Sequence, residues 1–152
     1  MPAQEHAEQC RVIDRVTPRR LAREGPASDP SPEEPMTDKR NLDNPHERRD
    51  FKDHGHMDVV TLGDFTLGRG VFEAGWRWSD DVKPIAGTDS CQVHHTGICM
   101  SGQMTIRFDD GNEITIGAGD VVDLDPGHDA WTLGDEPCVI LDTGVAAYAK
   151  PA

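Results

Sequence analysis

The chain has 152 residues, one domain's length, with no repeat at a period of about 20 to 50 residues to divide it further. Hydrophobic residues make up 36% and charged residues 28%, and 15 Lys and Arg against 28 Asp and Glu leave a formal net charge of -13, which disfavours nucleic-acid or membrane binding through charge. No apolar run approaches the roughly 20 residues of a membrane span. The start Met1-Pro2-Ala3-Gln4-Glu5-His6 lacks the basic-then-apolar order of a secretory signal, so a soluble, cytoplasmic protein is expected.

In chain order, residues 8–23 form at most a marginal helix, because Val12, Ile13, Val16 and Leu21 are sparse apolar positions. Residues 25–35 are rich in proline and acid, have almost nothing to bury, and read as disordered. Met36 follows as a possible internal translation start, which N-terminal sequencing of the native protein would decide. The composition then shifts: seven of the 11 prolines precede residue 57 and 13 of the 15 glycines follow it. Acid is also concentrated there, with five basic and 16 acidic side chains over residues 57–152. The expected division is a tail over 1–50, a folded unit over 51–145 and a C-terminal tail over 146–152.

From Met57 the pattern is one of short β-like runs separated by glycine, expected at 58–62, 65–72, 91–93, 97–100, 103–108, 113–116, 121–124, 129–133 and 139–142. The clearest pairing is Met104, Ile106 and Phe108 against Ile114 and Ile116 across the turn Asp109-Asp110-Gly111-Asn112, with Thr105, Arg107, Glu113 and Thr115 on the opposite face. No 3.6-residue periodicity is long enough for a full helix, which excludes α/β enzyme folds and helical bundles. The expected class is all-β.

Cys10, Cys91, Cys99 and Cys138 lack paired C-x-x-C spacing, which excludes a zinc ribbon, and reduced thiols are expected. Ser90 and Ser101 have no nucleophile-elbow setting, and Gly117-Ala118-Gly119 precedes no helix that could cradle a phosphate. Asp120, Asp123, Asp125 and Asp129 lack EF-hand spacing and read as a solvated acidic rim.

The Gly-bounded strand pair, the acidic hairpin and Gly119-Asp120-Val121-Val122-Asp123-Leu124-Asp125-Pro126-Gly127-His128 together resemble the two motifs of the cupin, or RmlC-like jelly-roll, superfamily over about residues 58–142. More narrowly, Gly75-Trp76-Arg77-Trp78-Ser79, Val82-Lys83-Pro84-Ile85, Thr88-Asp89-Ser90-Cys91-Gln92, His95-Thr96, Ser101-Gly102 and Pro126-Gly127-His128-Asp129-Ala130-Trp131 look like small bacterial cupins of uncharacterised activity. The resemblance implies a cupin-type antiparallel jelly-roll barrel, with a metal or small ligand in its mouth and a tendency to dimerise.

It also implies where ligands should stand, and this sequence departs from the pattern. Matching Gly102 to the end of the first motif places His95 at the family's Glu position. The family's His-x-His pair then falls on Thr88 and Ser90, or on Asp89 and Cys91. In the second motif Gly119 and Gly127 match, while the histidine position is Ala130. His128, two residues earlier, shares that strand face. A rearranged set of His95 and His128 with Asp89 and Cys91 would suit zinc better than magnesium. His94 is expected to point outward, and His54 and His56 to stand near the mouth.

Two functions follow as expectations. The first is a small-molecule-binding barrel, as sensor or accessory protein, with Arg77, Lys83 and Gln92 as polar contacts, Trp76, Trp78 and Trp131 as apolar walls or core, and His95 and His128 at the mouth. The second is a metal-dependent isomerase, lyase or dioxygenase on the same residues. Either is expected as a homodimer without nucleic-acid or membrane partners.

Overall fold

The alternation that begins near Met57 is realised as strands in the computed structural model, which describes residues 37–150. These are β1 Glu47–Asp50, β2 Gly55–Leu62, β3 Phe65–Phe72, β4 His95–Ser101, β5 Gln103–Phe108, β6 Glu113–Gly117, β7 Val121–Leu124, β8 His128–Leu133 and β9 Cys138–Asp142. Two single-turn helices, α1 Trp78–Asp81 and α2 Lys83–Ala86, follow β3. Every pairing is antiparallel: β1-β2-β3-β9-β4-β7 form one sheet and β6-β5-β8 the other. The expected all-β antiparallel jelly roll is what these two facing sheets make. The expectations for residues 8–23, residues 25–35, Cys10 and the start at Met36 lie outside the described residues.

Turn chemistry sets the hairpins. β2 and β3 join through Gly63-Asp64, where Gly63 has φ +57, the left-handed conformation a two-residue hairpin loop requires. In the β5–β6 hairpin, Met104, Ile106 and Ile116 are buried as the alternation requires. Two positions differ. Ile114 is exposed because β6 is an edge strand, and Thr105 is buried on the outer face between its register partners Thr115 and Trp131.

The strand expected at 91–93 reduces to a single bridge between Cys91 and His128. With a second bridge, Arg77 to Trp131, it ties the irregular segment 77–91 along β8, where a fourth strand of the smaller sheet would lie.

Both ends of the expected folded unit extend further than the sequence suggested. Glu47–Asp50, read as tail because of its charges, is a strand whose charges are consumed in the fold. Arg48 pairs with the buried Asp58 at 2.8 Å, and Arg49, itself buried, donates to the carbonyls of Val145 and Tyr148. At the other end Tyr148 and Ala149 are buried, so this part of the expected C-terminal tail belongs to the core. An aromatic cluster holds that end together: Phe51 stacks on Phe72 at 5.5 Å, Phe72 meets Trp76 at 4.5 Å, and Tyr148 stands edge-on to Phe51 at 6.1 Å.

Among the described residues, no helix is long and apolar enough to cross a membrane. Cys91, Cys99 and Cys138 are free thiols, all buried.

Candidate functional site

Two strands and one loop bring a thiol and two imidazoles together inside the barrel. His95 opens β4 and His128 opens β8, both facing inward, and the Cys91–His128 bridge sets Cys91 beside them. That bridge is firmly held: the Cys91 amide donates to the His128 carbonyl at 2.8 Å, and the Gly127 amide donates to the Cys91 carbonyl at 2.7 Å. One donor atom from each of Cys91, His95 and His128 lies within 4.8 Å of the others, and all three residues are buried.

The ring nitrogens are oriented by what lies behind them. His128 Nδ1 is 2.8 Å from the Asp125 carbonyl, an acceptor only, so Nδ1 donates to it and Nε2 is the nitrogen left to serve the site. His95 Nδ1 bonds the carboxylate of Asp142, and its Nε2 is 3.4 Å from Cys91 Sγ. Burial by itself would raise the Cys91 thiol, but the imidazoles of His128 and His95 outweigh it and bring it down to about 6. Burial by itself would lower His95, yet the Asp142 carboxylate, with Cys91 behind it, lifts it to about 9. Each partner thus favours the other's charged form, thiolate on Cys91 and imidazolium on His95.

Around these polar groups the chamber is apolar, with Phe72, Trp78, Met104, Ile106 and Leu124 among its walls. Its room for water centres is about 40 Å³. Among the described residues, no lysine or arginine lines it. Gly97 lies on this wall, where β4 runs so close to β9 that a Cβ would stand 2.0 Å from the Leu141 carbonyl oxygen.

The structure sorts the expected site residues. Cys91, His95, His128 and Trp78 line the chamber, with Ala130 on the same wall. Asp89 does not join them: its side chain is fully exposed, 3.6 Å from Lys83. The parity that joined Asp89 to Cys91 assumed a strand, and the segment is a loop in which Ser90 Oγ donates to Asp109 at 2.9 Å and Cys91 alone lines the chamber. Arg77 and Trp131 are not chamber contacts either. They lie on the outer face of β8, where the Arg77 guanidinium covers the Trp131 ring at 4.6 Å and pairs with Asp129 at 3.1 Å.

Trp76 is core, Gln92 is exposed and bonds Ser90, and Lys83 is half-exposed. His94 points outward to Asp123 and Asp125. His54 bonds Asp81, while His56 faces Asp58 on the outside of the larger sheet.

Two residues of the site were not singled out from the sequence. Asp142 had a usable signal, because it shares the inward parity of Cys138 and Ile140 and is a carboxylate on a buried strand face. Tyr148, which lines the chamber from beyond the last strand, had none.

No protein-family model and no curated protein matches the chain. Solved structures do. One is a protein of unknown function from Rhizobium leguminosarum, 17% identical, covering 70% of this chain and 93% of that one with a TM-score of 0.49. Another is an uncharacterised conserved protein with a double-stranded β-helix domain from Klebsiella pneumoniae, 20% identical over 72% and 93% of the two chains, TM-score 0.49. A third is a Cupin 2 conserved barrel domain protein from Salinispora arenicola, 21% identical over 70% and 86%, TM-score 0.48. The fold itself, a cupin-type jelly roll, is defined by the strand order of the two sheets.

Proposed function

We propose that the barrel interior binds a small, largely apolar molecule beside a transition-metal ion held by Cys91, His95 and His128. The observation that carries this reading is the convergence of one sulfur and two nitrogens in an apolar-walled chamber, with both Nδ1 atoms already engaged from behind. The spacing suits a metal. Sulfur and nitrogen ligands at ordinary zinc distances stand about 3.6 Å apart across a tetrahedral angle, close to the 3.4 Å between Cys91 Sγ and His95 Nε2. The soft sulfur and the absence, among the described residues, of a clustered carboxylate ligand favour zinc over magnesium.

When bound, such an ion polarises a carbonyl or lowers the pKa of a water. The chain's own residues do the rest. Asp142 fixes the His95 ring by accepting its hydrogen bond, the apolar walls limit solvation, and the lack of a lining cation among the described residues disfavours carboxylate or phosphate ligands.

Elemental analysis of protein purified without chelator or affinity metal, beside the His95→Ala variant, tests the proposal. Close to one equivalent of metal in the native chain, lost in the variant, is the expected result. No metal in either overturns the metal centre. A second reading, a metal-free binding barrel, is favoured by the direct Cys91–His95 contact, which already partners both groups. It predicts a ligand-dependent rise in melting temperature without metal.

A further inference from the structure

A second cavity adjoins the chamber. It has room for water centres of about 160 Å³ and lies between α1, α2 and the C-terminal segment, with Val82, Ala86, Thr88, Gln92 and Lys150 among its lining residues. Trp78, Cys91 and Tyr148 line both cavities, so these three side chains form the partition between this vestibule and the chamber.

They are not equally fixed. Cys91 is tied to β8 by two backbone hydrogen bonds, and Trp78 opens a helical turn closed by the Val82 amide at 2.9 Å. Tyr148 stands on a segment outside both sheets. That segment is held by its own turn, Tyr148 amide to Val145 carbonyl at 3.1 Å, and by the Arg49 guanidinium on the carbonyls of Val145 and Tyr148. The next residue, Ala149, has φ +51, a left-handed conformation uncommon for a side chain with a Cβ. Tyr148 packs its ring edge-on to His95 at 5.2 Å, directly above the site. Outside both sheets, and with its side-chain hydrogen bonds running to Arg49 of β1 alone, this segment is the kind that opens locally while the sheets stay closed.

We propose that Tyr148 is the specificity-determining residue of the barrel: it sets by size what passes from the vestibule to Cys91, His95 and His128. The matching ligand has a slim, neutral, apolar tip, since the chamber takes about three water-sized groups, and a broader remainder that stays in the vestibule beside Thr88, Gln92 and Lys150. This rests on the chamber being the ligand site. The test below needs neither metal nor ligand, so an absence of metal would leave it standing.

The test labels Cys91 in the full chain after dialysis against a chelator, using methyl and benzyl methanethiosulfonate. The thiolate sulfur attacks the sulfenyl sulfur, methanesulfinate leaves, and a mixed disulfide forms. Mass mapping follows each cysteine, with buried Cys99 and Cys138 as internal controls for loosening of the barrel.

In the native chain the methyl reagent is expected to label Cys91 about tenfold or more faster than the benzyl reagent. In Tyr148→Ala both rates should rise and this preference should fall towards unity, with Cys99 and Cys138 still protected. An unchanged preference in Tyr148→Ala overturns the proposal. Should all three thiols label together, the barrel has loosened, and Ala147→Trp on the vestibule wall decides instead: slower labelling of Cys91 supports the route, and an unchanged rate overturns it.

Discussion

His95 and Asp142, 47 residues apart, form a buried hydrogen bond from Nδ1 to a carboxylate oxygen inside the barrel. The other carboxylate oxygen of Asp142 accepts the Gly144 amide at 2.7 Å, so the aspartate is itself held in place. Gly144 is required there, because a Cβ would stand 2.0 Å from the His94 carbonyl oxygen where the chain leaves β9.

The pair predicts a specific loss. Asp142→Asn keeps the size of the side chain but removes the charge that holds His95 with Nδ1 protonated. Metal affinity should fall by roughly 10- to 100-fold. Competition with a chromophoric chelator measures it, and an unchanged affinity would show that Asp142 does not support the metal centre.

The two tryptophans assigned together from the sequence should now behave differently. Trp78 is on the chamber wall, while Trp131 lies outside it beneath Arg77. Trp131→Ala should leave metal content unchanged and cost about 1 kcal/mol from the lost ring–guanidinium contact and packing. Trp78→Ala should cost about 3 kcal/mol as a buried aromatic deletion and let benzyl methanethiosulfonate reach Cys91. Urea melts and labelling rates separate the two, and similar behaviour in both assays would contradict the assignment of faces.

Acid should weaken the fold through Asp58. Burial by itself would raise this carboxyl, but the hydrogen bonds from Arg48 and Arg69 outweigh it and hold it below the usual carboxylate range. A carboxyl lowered in the folded state contributes its stability above the unfolded pKa, near 4, and loses it as pH falls through the lower folded value. Asp58→Asn should therefore cost about 2 kcal/mol at pH 7, with the gap to the native chain narrowing below about pH 4. Urea melts between pH 7 and pH 3 test the sign: a gap that widens on acidification would be the wrong one.

Gly97→Ala should destabilise by about 2 kcal/mol or more, because β4 and β9 must part to admit the methyl group. Hydrogen exchange of the Gly97–Asp142 register region would show the strands loosening. A neutral substitution would mean that the close approach is not needed.

How much could be read beforehand follows from the range of each interaction. Strands β3, β5 and β7 have the boundaries expected from alternation, since side-chain parity is a local property of an extended backbone. His128 was placed on the inward face by the same parity, two residues before Ala130, and both line the chamber. Asp89 was misplaced where parity does not apply, in the loop after α2. Arg77 and Trp131 were misassigned because amphipathic side chains fit a ligand pocket and a sheet's outer face equally well, and only the register with β5 shows which face Trp131 takes.

The sequence by itself determined the all-β class, the hairpin turns and the inward faces of the long strands, because each is fixed by neighbours within a few residues, and it named all three clustered donors, Cys91, His95 and His128. Only the tertiary structure decided that Glu47–Asp50 is a strand, that Arg49 holds the C-terminal segment, that Asp142 stands behind His95 and that Tyr148 closes the chamber. The contacts of Arg49 and of Asp142 join residues 47 to 99 positions apart. They exist only once the two sheets face each other and the chain ends meet across the barrel, and no local periodicity encodes that distance.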